Sequence, residues 1–276
     1  MKNIVSLAAF VAVFVLLYVF WPEQKEEVAE QVVVPEVTEE EEQKQPGPEA
    51  WEIAGVPDFM AIKDVKQKKK KFFDYMLPLV EEENQRIIKQ RNRILQLAGN
   101  ISLSEHDKTW LKFIGRQYRE EGEPSDKWFD DILEKVDMLP PSMALAQAAN
   151  ESGWGTSRFA REGNNYFGQW CFTEGCGLVP NSRKEGFTHE VKKFDDVQES
   201  VRAYLLNLNS HPQYEALREL RVNARDNNQV VTGPYLAQGL WKYSERGFDY
   251  VDEISRMMHK NNLVKLDKDA AVTLTP

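Results

Sequence analysis

Apolar residues recur at helical spacing through most of the chain. Residues 59–75 and 77–97 each place hydrophobic side chains three and four positions apart, which predicts two amphipathic helices. Ser104, with Asp107 three residues later, has the pattern of a helix N-cap and predicts a third helix. By the same spacing, further helices are expected over residues 122–133, 195–211, 214–222, 233–243 and 248–263. The predicted fold class is therefore mainly α.

The segment MLPPSMALAQAANESGWG, residues 138–155, predicts a buried helix with a carboxyl group at its end. Pro140 and Pro141 suit a helix start, and the small apolar residues that follow suit close packing. The helix delivers Glu151 among apolar neighbours and at the negative end of the helix dipole, and both disfavour the ionised carboxylate. Such a group can keep its proton near neutral pH and protonate a glycosidic oxygen as a general acid. The alternative is a carboxylate that caps the amides of the following loop.

Between residues 163 and 194 the pattern changes to glycine, asparagine, proline and aromatic residues. The short alternating runs RKEGF (183–187) and HEVKKF (189–194) predict the two arms of a small hairpin. Aromatic faces and amide edges together suit a sugar, which needs stacking as well as hydrogen bonds. For each single ring the alternative is a place in a small aromatic core cluster. The candidate sugar-binding residues are Trp154, Asn165, Tyr166, Phe167, Gly168 and Trp170.

Residues 4–21 form eighteen consecutive residues without a charge, preceded by Lys2. As a helix this stretch is about 27 Å long, which is enough to span a thin bilayer. The positive start predicts a cytoplasmic N-terminus, an anchor in the inner membrane and a periplasmic location for the rest of the chain. A cleaved signal peptide, followed by secretion, is the alternative, but YVFWPEQ (18–24) lacks the small residues of a cleavage site.

Charge is distributed unevenly along the chain. Residues 23–50 carry ten Glu against two Lys and no aromatic residue, so they are expected to form an extended, disordered linker. Residues 51–276 have a formal charge of −2, which argues against nucleic acid as a partner. The run Lys68–Lys71 is interpreted as a solvated helix face, with contact to an anionic surface such as acidic lipid or wall polymer as the alternative.

Cys171 and Cys176, in the sequence CFTEGC, are the two cysteines of the chain. In an oxidising compartment this spacing predicts a small disulfide loop. A metal site is the weaker interpretation, because two further ligands are needed and the four histidines are scattered. The sequence has no H-E-x-x-H, no phosphate-binding loop and no G-x-G-x-x-G motif, so neither a metal nor a cofactor is expected.

The stretch LPPSMALAQAANESGWGTSRFAREGNNYFGQW, residues 139–170, resembles the glucosaminidase family of peptidoglycan hydrolases, glycoside hydrolase family 73. That family's pattern is A-x-x-E-S-G-W-G followed by N-x-F-G, and the similar region runs from Ser104 to about Asn262. The resemblance implies a lysozyme-like fold, in which an α-rich lobe bears the catalytic Glu and a small β-hairpin lobe lies across the cleft. It also implies an endo-β-N-acetylglucosaminidase that acts on peptidoglycan glycan strands.

Residue by residue, the resemblance makes Glu151 the general acid and Tyr243 the tyrosine that lines the cleft before the last helix. It places a second carboxylate on the hairpin, where Glu185 is favoured over Glu190. A second carboxylate several ångströms from Glu151 would activate water as an inverting base; otherwise the substrate's acetamido oxygen supplies the nucleophile. The insertion between Cys171 and Cys176 has no counterpart in the family motif and is expected to reshape substrate binding.

Two other functions remain open, namely a lytic transglycosylase, which shares the implied fold and one acid, and a non-catalytic wall-binding or scaffold protein. The helical extension before Ser104 is interpreted either as a docking module or as a stalk that wraps the catalytic domain. The chain is thus predicted to contain an anchor or signal segment (1–22), an acidic linker (23–56), a helical extension (57–103), a catalytic domain (104–265) and a tail (266–276).

Overall fold

The computed structural model describes residues 55–100, 102–181, 183 and 186–268. The predicted membrane segment, nearly all of the acidic linker and Glu185 lie outside this part of the chain. Within it the protein is mainly helical, as the sequence predicts, with a small antiparallel sheet. No helix of the described part combines the length and the apolar character needed to cross a membrane.

The described elements follow one another in chain order. The helices are α1 Val65–Ala98, α2 Glu105–Gln117, α3 Asp126–Lys135, α4 Pro141–Glu151, α5 Arg158–Gly163, α6 Val197–Ser210, α7 Glu215–Asp226, α8 Gly233–Leu236 and α9 Phe248–Lys260. Short 3-10 helices, Pro212–Tyr214 and Ala237–Leu240, precede α7 and follow α8. The strands are β1 Trp170–Cys171, β2 Gly177–Leu178 and β3 Glu190–Lys192.

Helix starts follow local capping chemistry. The Ser104 hydroxyl accepts a hydrogen bond from the Asp107 amide at 3.1 Å where α2 begins, as predicted. The Ser125 hydroxyl accepts from the Trp128 amide at 3.2 Å at the start of α3. Helix α4 begins at Pro141, whose missing N–H costs nothing in the first turn.

The two helices predicted over residues 59–75 and 77–97 are in fact one helix, α1, which runs through Pro78. Pro78 is exposed, so the carbonyl group left without a donor by the proline lies on the solvent side. The buried stripe continues past it from Met76 to Val80, and this shared apolar face keeps the helix in one piece. The helix starts only at Val65 because Asp64 caps it, accepting from the Gln67 amide at 2.7 Å.

Helix α4 is the centre of the hydrophobic core. All of its residues from Pro141 to Ala149 are buried, and α1, α8 and α9 pack against it. Its four alanines let the neighbouring backbones approach closely. Residues of α1 belong to the same continuous hydrophobic cluster and the same compact unit as α4. Of the two interpretations of the helical extension, this packing corresponds to the one that wraps the domain.

The segment that leads into α4, residues 136–140, is buried although it forms no helix or strand. Its backbone carbonyl groups accept hydrogen bonds from side chains of three surrounding helices, at 2.8 to 3.1 Å. The donors are Asn84 on α1, Asn209 on α6 and Arg221 on α7. These bonds replace the water that the segment loses on burial, and they hold the start of α4 in place.

Asp137, in the middle of this segment, is buried among three arginines. Arg225 donates from two nitrogens to the two carboxylate oxygens, and Arg91 and Arg221 lie 3.8 and 3.9 Å from Oδ2. Burial opposes ionisation, but Arg221, Arg91 and Arg225 hold the pKa of Asp137 below its usual value. The carboxylate therefore stays charged and joins α1 and α7 to the segment that precedes α4.

The sheet has the order β1-β3-β2 with both pairs antiparallel. Its central strand, β3, lies in the predicted arm 189–194, but the other predicted arm is wrong: residues 183, 186 and 187 are outside any strand. β3 pairs instead with Trp170–Cys171 and Gly177–Leu178. A Cβ atom on Gly177 would lie 2.0 Å from the Val191 carbonyl oxygen, so glycine permits this close pairing.

The chain remains packed past Leu266, where the sequence predicts the start of the tail, as far as Asp267. The buried carboxylate of Asp267 accepts from the Ser142 amide at 3.0 Å, the Ser142 hydroxyl at 2.7 Å and the Gly233 amide at 2.8 Å. It thereby caps the N-terminal ends of α4 and α8, where a negative charge is favourable.

Replacing Arg221 tests the role of the buried segment. Arg221→Met keeps the apolar stem but leaves the carbonyl groups at residues 137 and 138 without this donor, so we expect a loss of about 3 kcal/mol in the free energy of unfolding. The exposed substitution Arg116→Met is the control and should change stability by less than about 0.5 kcal/mol. Urea unfolding monitored by circular dichroism measures both. Equal stability of the two variants would contradict this account.

Candidate active site

Glu151 is the last residue of α4 and is half-buried at the helix end. Burial raises the pKa of its carboxyl group, an effect partly opposed by hydrogen bonds from Tyr250 and Asn150. The charge of Glu253 raises the pKa further, and that of Arg246 lowers it. The net direction is upward, as the sequence predicts for this position.

A chain of buried polar side chains holds one oxygen of Glu151. The Tyr204 hydroxyl donates to Gln147 Oε1 at 2.6 Å, Gln147 Nε2 donates to the Tyr250 hydroxyl oxygen at 2.9 Å, and Tyr250 donates to Glu151 Oε1 at 2.8 Å. Asn150 Nδ2 also reaches Oε1, at 3.2 Å. Among the described residues, no group donates a hydrogen bond to Oε2. Oε2 is therefore the oxygen left for a proton and a substrate.

Sequence reasoning missed this chain of donors. Gln147 lies four residues before Glu151 and hence on the same helix face, a signal that was available. Tyr250 lies on the buried face of α9, four residues before Ile254, where a hydroxyl group needs a partner. Nothing in the sequence shows that this partner is Glu151, because the contact joins positions 99 residues apart.

Tyr243, predicted to line the cleft, has a different contact. Its hydroxyl donates to the Phe167 carbonyl at 2.9 Å, and its ring stacks on that of Tyr250 with centroids 5.5 Å apart and planes 7° apart. Tyr250, rather than Tyr243, makes the hydrogen bond to Glu151. Tyr243 instead positions the ring of Tyr250 and the loop at Phe167.

Three of the predicted sugar-binding residues, Asn165, Tyr166 and Phe167, are only 1% exposed. Asn165 accepts hydrogen bonds from amides within its loop and donates to the Gln169 and Lys192 carbonyl groups at 2.9 and 2.8 Å. The Phe167 ring stacks on Tyr204, with centroids 3.9 Å apart. These side chains shape and anchor the loop, and they offer no surface to a sugar in this structure.

The anchored loop brings Gly168 next to Glu151. A Cβ atom on Gly168 would lie 3.6 Å from Glu151 Oε2, and the residue has φ +66°, in the left-handed region. Glycine at this position avoids backbone strain and leaves the approach to Oε2 open. Gly168 thus lies beside the predicted acid. Its role is to leave space next to the carboxyl group, since it has no side chain to make a contact.

Trp154 follows Glu151 in a loop that α1 holds in place. Its φ of +61° is unusual for a bulky residue, and its half-buried ring packs edge-on against Phe72 and Phe73. A Cβ atom on the next residue, Gly155, would lie 2.3 Å from the Phe59 ring. Contacts with the helical extension therefore set the conformation of the loop that leaves Glu151.

Trp170 is the predicted sugar-binding ring that the structure leaves accessible, at 57% exposure. It stacks on His189 with centroids 4.2 Å apart and lies two residues beyond Gly168. A second exposed pair, Trp241 and Phe248, stacks near Tyr243 and was missed by the sequence analysis. The alternation of apolar and polar residues that identifies a strand gives no signal for this pair, because Trp241 lies at the end of a short 3-10 helix.

The structure describes only one of the two candidates for the second carboxylate. Glu185 lies outside the described residues. Glu190 is buried, and its two oxygens accept from the Gly175 and Gly177 amides at 3.1 and 2.8 Å. These backbone hydrogen bonds lower the pKa of Glu190. Glu190 thus holds the loop between β1 and β2 and has no oxygen left free of these bonds to activate water.

Cys171 and Cys176 form a disulfide, which confirms the predicted loop. Together with Glu190 they are a described group whose potential metal-ligand atoms lie within 4.8 Å of one another. The disulfide removes the thiolates that a metal ion would need, and the loop amides occupy the carboxylate. This cluster therefore has the chemistry of a structural brace.

Comparisons with known proteins identify the family of this chain. A family model described as glucosaminidase, mannosyl-glycoprotein endo-beta-N-acetylglucosaminidase, matches residues 127–263, which include α4 and α9. Protein bax of Escherichia coli (strain K12) is 33% identical over 210 residues, covering 75% of this chain and 75% of that protein. No solved structure matches the chain significantly. With the glucosaminidase match and this identity over most of both chains, the protein belongs to the Bax-like glucosaminidase family.

Proposed function

We propose that this protein is an endo-β-N-acetylglucosaminidase that cleaves peptidoglycan glycan strands after N-acetylglucosamine, with Glu151 as general acid. The observation that carries the proposal is the environment of Glu151: its pKa is raised by burial, Oε1 is held by Tyr250, and Oε2 lies beside Gly168 without a hydrogen-bond donor among the described residues. A general acid needs a retained proton and a fixed direction of approach, and this environment supplies both. The family match to glucosaminidases supports the same reaction class.

Exposed aromatic side chains provide surfaces for a glycan strand. Trp170, stacked on His189, is the first residue of β1, and Phe248, stacked on Trp241, is the first residue of α9. Sugar rings present apolar faces that stack on such side chains. We propose that a glycan strand bound at Glu151 stacks on these exposed rings.

The second step of the proposal concerns the nucleophile. Both oxygens of Glu190 accept hydrogen bonds from the Gly175 and Gly177 amides. We therefore assign the role of general base, which activates water, to Glu185. A carboxylate on the opposite face of the sugar would activate water and invert the anomeric centre. If Glu185 has no such role, the acetamido oxygen of the substrate is the nucleophile.

The proposed location is the periplasm, with the chain anchored in the inner membrane by residues 4–21. Support for this comes from the uncharged stretch that follows Lys2 and from the pair of cysteines, which form a disulfide.

The first test is mass spectrometry of purified peptidoglycan after incubation with the protein. We expect reducing N-acetylglucosamine ends, and a loss of roughly 10²–10⁴-fold in rate for Glu151→Gln, which cannot donate the proton. Glu162→Gln, an exposed residue of α5, is the control and should retain full activity. Anhydro-muropeptides would instead indicate a lytic transglycosylase. Binding of peptidoglycan without products would indicate a wall-binding protein.

The hydrogen bond from Tyr250 is tested by the pH dependence of the rate. Tyr250 stabilises the ionised form of Glu151, so Tyr250→Phe should raise the carboxyl pKa further. Because a general acid loses its proton as pH rises through its pKa, the alkaline limb of the kcat/KM profile should move to higher pH. The rate at the optimum should fall roughly tenfold, the equivalent of one hydrogen bond.

Tyr235→Phe serves as the matched control for this pH profile, because Tyr235 is half-buried and lies away from Glu151 on α8. Its profile should match that of the unaltered protein. An alkaline limb that stays in place or moves to lower pH in Tyr250→Phe would show that Tyr250 does not control the proton of Glu151.

The base is tested by comparing Glu185→Gln with Glu190→Gln. We expect Glu185→Gln to lower kcat by roughly 100-fold or more with an unchanged melting temperature. Glu190→Gln should lower the melting temperature, because the Gly175 and Gly177 amides lose a charged acceptor, while kcat changes little. Near-normal kcat for Glu185→Gln, with Glu151→Gln inactive, would favour the substrate's acetamido group as nucleophile.

A further inference from the structure

The N-terminal end of α1 and the C-terminal end of α9 carry an excess of positive charge. Residues 63–71 contain six lysines and one acidic residue, Asp64, whose carboxylate is engaged in capping α1. Residues 256–265 contain three lysine or arginine residues and no acidic residue. We refer to these two segments together as the basic face.

The fold joins the two segments, which are far apart in sequence. Lys69 Nζ donates to Asn261 Oδ1 at 3.3 Å, across 192 positions. Lys66 and Lys70 lie three residues before and one residue after Lys69, so Lys66 shares its side of the helix with both. Among the described residues, Lys70 is the one cation of the basic face that forms an ion pair, with the exposed Asp74. The other lysine and arginine side chains of this face have no described acidic residue as an ion-pair partner.

Apolar side chains are interspersed with these lysines. Met60 and Val65 are 48% and 66% exposed and flank Lys63 in the sequence. A soluble polyanion offers no apolar environment to exposed hydrophobic side chains. The interface of a bilayer, by contrast, accommodates apolar side chains below its anionic headgroups. Charge and hydrophobicity together therefore favour a lipid surface over a soluble polymer.

The positive charge of the basic face is balanced by negative charge elsewhere in the folded part. Residues 51–276 have a formal charge of only −2, so the excess of cations on the basic face is offset elsewhere on the protein. An anionic plane would attract one side of the protein and orient it. Lys69 also lies 4.8 Å above the ring of Trp154, in the loop that follows Glu151. The basic face thus adjoins the candidate active site.

We propose that the basic face is a docking surface for bilayers that contain anionic phospholipids. The lysines contact the headgroup phosphates, and Met60 and Val65 enter the interface. This contact is independent of residues 4–21 and holds Glu151 beside the membrane. It goes beyond the proposed glycosidase activity and does not depend on it.

The experiment uses residues 47–276, which form one compact unit with its own hydrophobic core and lack the apolar segment 4–21. Co-sedimentation measures binding to phosphatidylcholine vesicles with and without about 30% phosphatidylglycerol, at about 0.1 M salt. We expect binding to the anionic vesicles to exceed binding to the neutral ones by roughly tenfold or more. The triple variant K66Q/K71Q/K260Q should lose roughly 10–100-fold of that binding.

A matched control separates the basic face from net charge. K89Q/K112Q/K127Q removes three exposed lysines of α1, α2 and α3 that lie outside the basic face, and it should keep its binding. M60S/V65S should retain binding at low salt but lose the fraction that resists about 1 M salt, at which charge interactions are screened. Melting temperatures should be unchanged in all three variants, since every altered side chain is exposed.

Three outcomes would overturn the proposal. The first is equal binding to neutral and anionic vesicles. The second is an equal loss in the two triple variants, which would show that net charge alone is responsible. The third is binding to soluble polyphosphate without binding to vesicles, which would assign the basic face to a soluble anionic polymer.

Discussion

The guanidinium group of Arg221 and its hydrogen bonds to the segment before α4 are the interaction on which the rest of the structure depends. A fully buried helix needs a buried path that leads into it, and the backbone groups of that path lose their water. Arg221, Asn209 and Asn84 supply donors from three helices, and Asp137 adds charge-assisted bonds to Arg225. The position of α4 is therefore decided by polar contacts at its entrance as well as by apolar packing along its sides.

The position of α4 in turn decides the chemistry at its other end. Glu151 emerges where the core meets the surface, so its carboxyl group is desolvated on one side and open on the other. Tyr250 reaches it from α9, which packs on the same helix, and Gly168 reaches it from a loop that Asn165 and Tyr243 anchor. A buried helix that ends in a half-exposed carboxyl group thus links the stability of the core to the proposed acid function.

Much of the fold was predictable because its signals are local. The Ser104 cap, the prolines at the start of α4 and the cysteine spacing depend on neighbours within a few residues, and each prediction is confirmed. One arm of the hairpin was predicted wrongly because strand pairing depends on tertiary contacts, and β3 pairs with the segment at Gly177 that follows the disulfide loop. The two helices predicted over residues 59–75 and 77–97 likewise form one helix, because the buried stripe of α1 continues past Pro78.

At the candidate site, what the sequence determined and what the tertiary structure decided are more clearly separated. The sequence pattern was enough to identify a helix with Glu151 at its end, the raised pKa of that group and the glucosaminidase resemblance, since these follow from helix periodicity and from contiguous motif residues. The assignment of Tyr250 rather than Tyr243 to Glu151, the burial of Asn165 and Phe167, and the contact of Lys69 with Asn261 were decided by tertiary structure. Each of these contacts depends on how helices distant in sequence are oriented around α4, and that orientation is set by packing of the whole core rather than by any local signal.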